Sequence, residues 1–365
     1  MPVVKEIIEA IEQYAPPCYQ EGYDNSRLIV GNTKQVVRGI LISLDCTEEV
    51  IEEAIKLGYN LIVSHHPILF SGIKSLNGKN YVERVLIKAI KYDIAIYAAH
   101  TNLDNVYRGV NQRIAHKLGL QNIRILMPKS TTLKQLYVYV PASHAESLRE
   151  ALWQAGAGQL GDYDQCSFSL SGQGTYRPNT GANPYSGQVG VRESAQEEKI
   201  EVVVPAHTEK AVIKAMHQAH PYEEIAYGIV SLQNTNPYIG AGIIGDLSDS
   251  VDEHHFLDHV KKHMNTKVIR HTALKNKLIQ KIALCGGSGS FLLPNAIAAQ
   301  ADAFITADMK YHEFFDAEGQ ILIADIGHYE SEQFTGEIFY DIVSKKFPNF
   351  AVRLTSVNTN PINYY

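Results

Sequence analysis

The residues best suited to chemistry in this sequence are the adjacent His65 and His66, which follow the apolar segment Leu61-Ile62-Val63-Ser64. Neighbouring side chains on a strand point to opposite faces. Pro67 interrupts the strand because it donates no ladder hydrogen bond and fixes its own φ. Both imidazoles can therefore turn toward one place just beyond the strand's carboxyl end, where open α/β sheets bind ligands. Two neutral imidazoles there suit a transition metal; the alternative is a histidine pair in a loop without a ligand.

Three further candidate ligands, Asp104, His328 and Glu332, follow other predicted strands. His328 and Glu332 are four residues apart, so on a helix they share one face; the alternative for this pair is a solvated helix start. Three imidazoles and two carboxylates without a thiolate suit Zn, Fe, Mn or Ni better than Cu(I) or an Fe–S cluster. Five side chains are more than one catalytic ion normally takes from protein. The sequence therefore predicts two divalent transition-metal ions per chain, with a bridging carboxylate and open positions for water.

Two more histidines, His100 and His312, lie in the same kind of segment after a strand. They could move a proton or contact a substrate, which are catalytic roles. They could equally pack beside the ligands and orient them by hydrogen bonds. The sequence leaves both interpretations open.

Two other patterns carry weaker signals. The run Gly286–Gly289 could cradle a phosphate, or it could form a tight turn that lets a helix approach the metal edge. It lacks the lysine of a Walker A loop and the spacing of a dinucleotide fingerprint. His255, His259 and His263 repeat every four residues on a predicted helix. Since no carboxylate completes that face convincingly, we interpret them as helix surface residues.

The predicted elements that must position these residues alternate between strands and helices. This alternation is typical of parallel βαβ units. The predicted elements of the first half are strands 37–45, 60–64 and 94–99 and helices 47–57, 81–91 and 110–118. The pattern returns with strands 281–285, 303–306 and 321–324 and with a helix from His328 to about Ser344. We therefore predict an α/β fold with a duplicated core, whose metal site lies at the carboxyl ends of the strands.

The segment between the halves contains its own repeat. Val138-Tyr139-Val140-Pro141-Ala142 and Val202-Val203-Val204-Pro205-Ala206 each precede a predicted helix, and a Gln-Ala pair follows each proline at the same offset. This predicts an inserted ferredoxin-like α+β domain of βαββαβ order, with a long hairpin or loop at 171–194. The predicted domains are the first half of the core at 1–128, the insert at 129–236 and the second half of the core at 237–365.

Composition limits the classes of function. The chain has 365 residues, a net charge of −6 and 45% hydrophobic residues, which is typical of a globular protein with a real core. The negative charge argues against nucleic-acid or membrane-surface partners, and no segment looks apolar enough to span a bilayer. The four cysteines are widely spaced, so we expect free thiols and a cytoplasmic location.

Seven motifs together resemble the NGG-interacting-factor-like family, whose long bacterial members are often called GTP cyclohydrolase type 2 homologues. The motifs are Tyr23-Asp24-Asn25, Leu44-Asp45, Ser64-His65-His66-Pro67-Ile68-Leu69-Phe70, His100-Thr101-Asn102-Leu103-Asp104, Gly286-Gly287-Ser288-Gly289, Asp308-Met309-Lys310-Tyr311-His312 and His328-Tyr329-Glu330-Ser331-Glu332. The resemblance implies a dinuclear metal site with ligands His65, His66, Asp104, His328 and Glu332. It also implies a toroidal homohexamer and an insert similar to PII and CutA-type domains. His220-Pro221-Tyr222-Glu223 resembles the CutA-type signature.

We therefore predict a dinuclear metal-dependent hydrolase-like protein with a small-molecule substrate. A nucleotide is the candidate substrate, and GTP cyclohydrolase chemistry rests on the resemblance because no residue marks a guanine pocket. Glu332 is the expected bridging ligand, and His100 or His312 would move the proton. The alternative is a metal-handling or regulatory protein whose insert senses a ligand.

Overall fold

The computed structural model describes all 365 residues. By its internal contacts the chain divides into a core unit, residues 1–128 and 237–365, and an insert unit, residues 129–236. All four cysteines are free, as the sequence predicts. None of the helices combines the length and the apolar character needed to cross a membrane.

Fifteen strands and eleven α-helices make up the two units. The helices are α1 (Val4–Tyr14), α2 (Glu48–Leu57), α3 (Tyr81–Lys91), α4 (Thr101–Asp104), α5 (Val110–Lys117), α6 (Ala145–Gln154), α7 (Glu209–Ala219), α8 (Glu253–His263), α9 (Leu293–Ala298), α10 (His328–Glu332) and α11 (Thr335–Lys346). The strands are β1 (Leu28–Val30), β2 (Ile40–Ser43), β3 (Leu61–Ser64), β4 (Ala95–Ala98), β5 (Gln121–Pro128), β6 (Leu133–Pro141), β7 (Phe168–Tyr176), β8 (Glu193–Pro205), β9 (Tyr227–Ser231), β10 (Gly240–Asp252), β11 (Arg270–His271), β12 (Leu278–Ser288), β13 (Ala303–Ala307), β14 (Leu322–Asp325) and β15 (Val352–Leu354). Short 3-10 helices lie at Pro17–Tyr19, Ala142–His144, Ser290–Leu292 and Tyr311–Ala317.

The first sheet of the core unit has the order β1-β4-β3-β2-β15. Its strands β15, β2, β3 and β4 are parallel, and β1 is antiparallel at the edge. Every residue of β2, β3 and β4 is buried, as expected for parallel strands covered on both faces. Helix α2 begins at its cap Thr47, whose side chain accepts from Val50 N–H, and ends at the left-handed Gly58. The helix predicted over 47–57 is thus confirmed to within one residue, with a side-chain cap at its start and a left-handed glycine after its end.

The second sheet of the core unit has the order β11-β14-β13-β12-β10-β5. The strands β12, β13 and β14 are parallel, and the remaining pairs are antiparallel. One hydrophobic cluster contains apolar residues of both sheets and of α1, α5, α8 and α11. Because a single core joins the two sheets, the ends of their parallel strands have fixed relative positions.

Each sheet takes one strand from the other half of the core sequence. Strand β5 precedes the insert but pairs with β10, and the late strand β15 pairs with β2. The two sheets therefore do not correspond simply to the segments 1–128 and 237–365, and duplication of the core stays a prediction.

The prediction of one helix from His328 to about Ser344 was wrong. Helix α10 ends at Glu332, and α11 begins only at Thr335. The Gln333 side chain donates to the backbone carbonyl of Glu330 at 3.0 Å and to that of Met264 at 2.8 Å. A continuing helix would use the Glu330 carbonyl for its next backbone hydrogen bond, so this side chain favours the break.

The insert unit has the element order β6-α6-β7-β8-α7-β9. Its antiparallel sheet has the order β7-β8-β6-β9. Alternate residues of β6, namely Leu136, Val138 and Val140, are fully buried and share a cluster with apolar residues of α6 and α7. The predicted hairpin at 171–194 is present, since β7 and β8 pair as far as Tyr176 and Glu193. The residues 177–192 form the loop between them.

Candidate metal centre

The core unit brings all five predicted metal ligands together. His65 and His66 follow β3, Asp104 ends α4, and His328 and Glu332 begin and end α10. Their ligand atoms form two groups, His66–His328–Glu332 and His65–Asp104–Glu332, in each of which the atoms lie within 4.8 Å of one another. Glu332 belongs to both groups. The predicted placement at strand carboxyl ends therefore produces two adjacent donor sets that share a carboxylate.

The first donor set contains polar atoms without a hydrogen-bond partner. His65 Nδ1 lies 3.0 Å from the Ala99 carbonyl oxygen, which only accepts, so Nδ1 carries the proton and Nε2 presents a lone pair. His65 Nε2 lies 3.5 Å from Asp104 Oδ1, and both atoms are buried and unpartnered. A lone pair facing a carboxylate oxygen in a dry site is unfavourable unless a proton or a metal ion lies between them. The chemistry of this donor set therefore fits a bound metal ion.

Burial sets the protonation of this first donor set. It lowers the pKa of His65 to about 4, which keeps the imidazole neutral. Burial also raises the pKa of Asp104 well above its usual range, and the negative charge of Glu332 adds to that shift. A divalent cation would reverse the effect on Asp104 by stabilising its carboxylate.

The second donor set is held by hydrogen bonds to carboxylates. His66 Nδ1 lies 2.7 Å from Asp45 Oδ1, and His328 Nδ1 lies 2.6 Å from Asp308 Oδ2. The Nε2 atoms of His66 and His328 approach Glu332 Oε2 to 3.0 and 3.1 Å. Metal-binding histidines usually donate their other ring N–H to a carboxylate or carbonyl in this way.

The same contacts determine the pKa values of the second donor set. Burial would lower the pKa of both imidazoles, but Asp45 and Glu332 raise the pKa of His66 to about 10. Glu332 and Asp308 likewise raise the pKa of His328 to about 11. Burial would raise the pKa of Glu332, but the histidines, above all His328, hold it well below its usual range.

The glycine run after Cys285 makes room for Glu332. Gly287 has φ +62°, and a Cβ atom there would overlap Glu332 Oε1. Its N–H donates to Ser331 Oγ at 2.9 Å, which joins β12 to α10. Of the two roles predicted for the run, this geometry supports the close approach of a helix to the metal edge.

The two predicted catalytic histidines lie in different surroundings. His100 joins His65 and His66 in a third group of possible metal-binding nitrogens, and its Nδ1 lies 2.8 Å from Asp24 Oδ1. His312 lies in the 3-10 helix Tyr311–Ala317, with its ring centroid 6.3 Å from that of Phe315, and belongs to none of the three groups. The geometry thus supports a role at the centre for His100 and gives none to His312.

The three regularly spaced histidines of the sequence lie on α8, where two make local hydrogen bonds and one contacts a distant carbonyl. His255 pairs with the helix cap Asp252, and His263 Nδ1 lies 2.8 Å from the His259 carbonyl oxygen. His259 Nε2 lies 3.0 Å from the carbonyl oxygen of Leu118. These contacts agree with the interpretation of the α8 histidines as helix surface residues.

The sequence reasoning quoted Asp45 and Asp308 only as parts of motifs and did not assign them the role of orienting the histidine rings. Asp45 and Asp308 follow β2 and β13 at the same sheet edges as the ligands. Asp308 has a left-handed backbone, with φ +57°, which is uncommon outside glycine. The position of both aspartates just after a strand was the signal available in the sequence. Only the fold shows which carboxylate faces which histidine ring.

Comparison with known proteins covers nearly the whole chain. The family model Duf34/NIF3 (NGG1p interacting factor 3) matches residues 2–361. The chain is 37% identical over 363 residues to a Halalkalibacterium halodurans protein named GTP cyclohydrolase 1 type 2 homolog, with 98% of each chain covered. It is 36% identical over 366 residues to the Bacillus subtilis protein of the same name, with 99% of this chain and 98% of that protein covered.

Solved structures show the same similarity. The crystal structure of a Bacillus cereus protein related to NIF3 has a TM-score of 0.87 and 37% identity, covering 100% of this chain and 99% of that one. The Staphylococcus aureus protein SA1388 has a TM-score of 0.79 and 29% identity, with the same coverage. The mixed α/β fold is therefore one that solved relatives share over their full length.

Proposed function

Because this chain belongs to the Duf34/NIF3 family, we propose that it is a hydrolase-like protein that works with two divalent transition-metal ions. The observation that carries the proposal is the position of Glu332, which belongs to both donor sets. A buried carboxylate shared by two sets of donors suits a bridging ligand between two ions. The donors are nitrogen and oxygen atoms only, which suits Zn, Fe, Mn or Ni.

Each side chain of the centre has a role in this proposal. His65, Asp104 and Glu332 would hold one ion, and His66 and His328 would hold the other together with Glu332. When bound, such ions polarise a substrate oxygen and lower the pKa of a water molecule. Asp45 and Asp308 would keep the rings of His66 and His328 oriented and basic.

Proton movement is assigned to His100. Its Nδ1 is hydrogen-bonded to Asp24, which leaves Nε2 for a proton that enters or leaves the reacting group. His312 remains a prediction from the sequence alone, because its observed ring contacts are with Tyr311 and Phe315.

The substrate class proposed first is a nucleotide. The relatives are named as homologues of a GTP cyclohydrolase. Beside the centre, the Phe70 ring is 56% exposed and lies edge-on to the His100 ring, with 5.8 Å between centroids. An exposed aromatic ring beside the candidate donors offers a surface on which a base could stack.

The domain and assembly predictions are part of the same proposal. We assign a duplicated core to residues 1–128 and 237–365 and a PII/CutA-like insert to residues 129–236. The βαββαβ element order and the strand order β7-β8-β6-β9 support the ferredoxin-like assignment. A toroidal homohexamer is proposed from the family resemblance.

Metal reconstitution tests the function. Protein freed of metal by chelation is loaded separately with Zn, Mn, Fe(II) or Ni, and elemental analysis should give about two ions per chain. The loaded protein is then screened against nucleotides and phosphoesters. Glu332→Ala should lose both paired metal binding and turnover, while Glu337→Gln should keep both. Glu337 is a suitable control because it lies on α11 and pairs with Arg113 and Lys117.

The outcomes separate the proposal from its alternative. Metal-dependent turnover that Glu332→Ala abolishes supports the hydrolase. Fully loaded protein without turnover across the panel contradicts it and favours a metal-handling role. Metal content unchanged in the double variant His65→Ala/His328→Ala contradicts the site itself.

A further inference from the structure

The insert unit contains a pocket of about 520 Å³ that the proposed function does not use. It lies among the β7–β8 hairpin loop, strand β6 and the turn before β9. Four tyrosines contribute to its walls: Tyr139, Tyr176, Tyr185 and Tyr222. The volume is within the range of roughly 300–1,000 Å³ found for small-molecule sites.

Three of these tyrosine rings surround one region at inclined angles. The centroid of Tyr222 lies 6.4 Å from that of Tyr176 and 5.9 Å from that of Tyr185, with interplanar angles of 53° and 46°. Rings inclined in this way do not stack face to face on one another. The rings of His144 and His220 also approach Tyr185 and Tyr222, with centroids 5.6 and 5.1 Å apart. The negative face of a phenol ring attracts a cation.

Hydrogen bonds hold these walls in place without a ligand. The buried His220 presents Nε2 to the Tyr139 carbonyl oxygen at 2.8 Å and accepts the Tyr222 N–H on Nδ1 at 3.1 Å. The Tyr176 hydroxyl donates to the Ser186 carbonyl oxygen at 2.9 Å. A preformed pocket loses little conformational freedom on binding, which favours affinity for a small ligand.

Negative charge accompanies the tyrosines. Glu197, Glu223 and Glu224 line the pocket together with one cation, Arg177. Tyr222 donates its hydroxyl to Glu197 Oε1 at 3.0 Å. Opposite Glu197, Gly174 leaves space that a side chain would fill, because a Cβ atom there would overlap Glu197 Oε2. The backbone of β7 thus makes room for a carboxylate at the tyrosine cluster.

We propose that this pocket binds a small organic cation of the alkylammonium class. The tyrosine faces would surround the ammonium group, and Glu197 would be its counter-ion. The three carboxylates of the lining outnumber the single guanidinium of Arg177, so the pocket disfavours an anionic ligand, whereas an ammonium group would be attracted to Glu197. The site lies wholly within residues 129–236 and does not depend on the function of the metal centre.

Isothermal titration calorimetry on the full-length chain tests the ligand class with matched pairs. Choline is compared with its neutral isostere 3,3-dimethyl-1-butanol, and 1,4-diaminobutane with 1,4-butanediol. At least one ammonium probe should bind with one site per chain and at least about tenfold more tightly than its neutral partner, a ratio that cation–π contacts supply. The amide of Nα-acetyl-lysine, as a third probe, reports whether a lysine side chain of another protein is an equally good source of the cation.

Two variants and a control locate the site. Glu197→Gln should weaken binding of the preferred ammonium probe by at least about tenfold, since it removes the counter-ion but keeps the shape. Tyr185→Leu removes a ring that is 54% exposed on a loop, so it should weaken binding without affecting folding. Glu198→Gln is the control because Glu198 is the next residue on β8, points to the other face and pairs with Arg149. It should bind as the unaltered protein does.

Three results would overturn the proposal. The first is that no ammonium probe binds saturably to folded protein. The second is that the neutral isosteres bind equally well, and the third is that Glu197→Gln and Glu198→Gln have the same effect. Binding of GTP in this pocket, lost in Tyr185→Leu but kept in Glu197→Gln, would instead assign it to nucleobases.

Discussion

The Nε2 atoms of His66 and His328 lie 3.2 Å apart, and the Nδ1 atom of each ring is hydrogen-bonded to a carboxylate. Two lone pairs at that distance repel, so in the metal-free protein at least one Nε2 holds a proton. The pKa values of about 10 for His66 and about 11 for His328 agree with this. In the metal-free centre, a proton therefore occupies a histidine nitrogen that would bind a metal ion.

Metal binding should release at least one proton per chain. At about pH 7 the pH is below the pKa of both imidazoles, whereas a metal ligand must be deprotonated. Affinity should therefore rise with pH as the solution approaches those pKa values. Calorimetry in buffers of different ionisation enthalpy measures the number of released protons. Binding heats that do not depend on the buffer would contradict the prediction.

Gly287→Ala should abolish metal binding by Glu332. The new Cβ atom would overlap Glu332 Oε1 and sit at a positive φ, so we expect a stability loss of about 1–2 kcal/mol together with loss of the shared ligand. Gly58→Ala is the matched control, because Gly58 has φ +69° but no atom within 4 Å of the Cβ position. Thermal unfolding should show a loss in both variants that is at least as large in Gly287→Ala, and elemental analysis should show a metal defect in Gly287→Ala alone. Full metal content in both would refute the role assigned to Gly287.

Local signals were sufficient for several elements of the first core sheet. Thr47 and Gly58 specify the ends of α2, and His65 and His66 follow β3 as the proline predicts. Such features depend on residues a few positions apart, so a sequence pattern contains them. The five candidate ligands were found in this way.

Long-range pairing was not predictable by the same reasoning. Strand β15 has only three residues and pairs with β2, some 310 positions earlier. At the break between α10 and α11, the Gln333 side chain contacts the carbonyl of Met264, 69 positions earlier. The pairing of Asp45 with His66 likewise needs the three-dimensional arrangement of β2 and β3. No local pattern identifies these partners, because each is chosen by the packed core.

Asp45→Asn should weaken metal binding without removing the site. Asparagine can still accept a hydrogen bond from His66 Nδ1, but it lacks the charge that makes the ring basic. We expect a loss of about 10- to 100-fold in metal affinity with unchanged stoichiometry at saturating metal. Competition with a chromophoric chelator measures the affinity. Asp341→Asn, at a largely exposed carboxylate that pairs with Arg113, should have no effect, and equal affinities for both variants would contradict the prediction.

The last prediction concerns removal of the insert. Asn236 N–H donates to the Lys129 carbonyl at 2.9 Å, and Pro128 pairs with Gly240 in the core sheet. The two ends of the core chain are therefore close, so a short Gly-Ser linker from residue 128 to residue 237 should close the gap with little loop entropy cost. The shortened protein should remain folded by circular dichroism and keep its full metal content, while losing the ammonium binding proposed for the insert.

A folded shortened protein without metal would show that the centre depends on the insert. If the shortened protein still bound the ammonium probe, the ligand site could not be the pocket between Glu197 and the tyrosines. The same sample therefore tests both assignments separately, because elemental analysis reports on the core unit and calorimetry reports on the insert unit. Independence of the two results is expected, since every ligand of the metal centre lies in the core unit and every lining residue of the pocket lies in the insert unit.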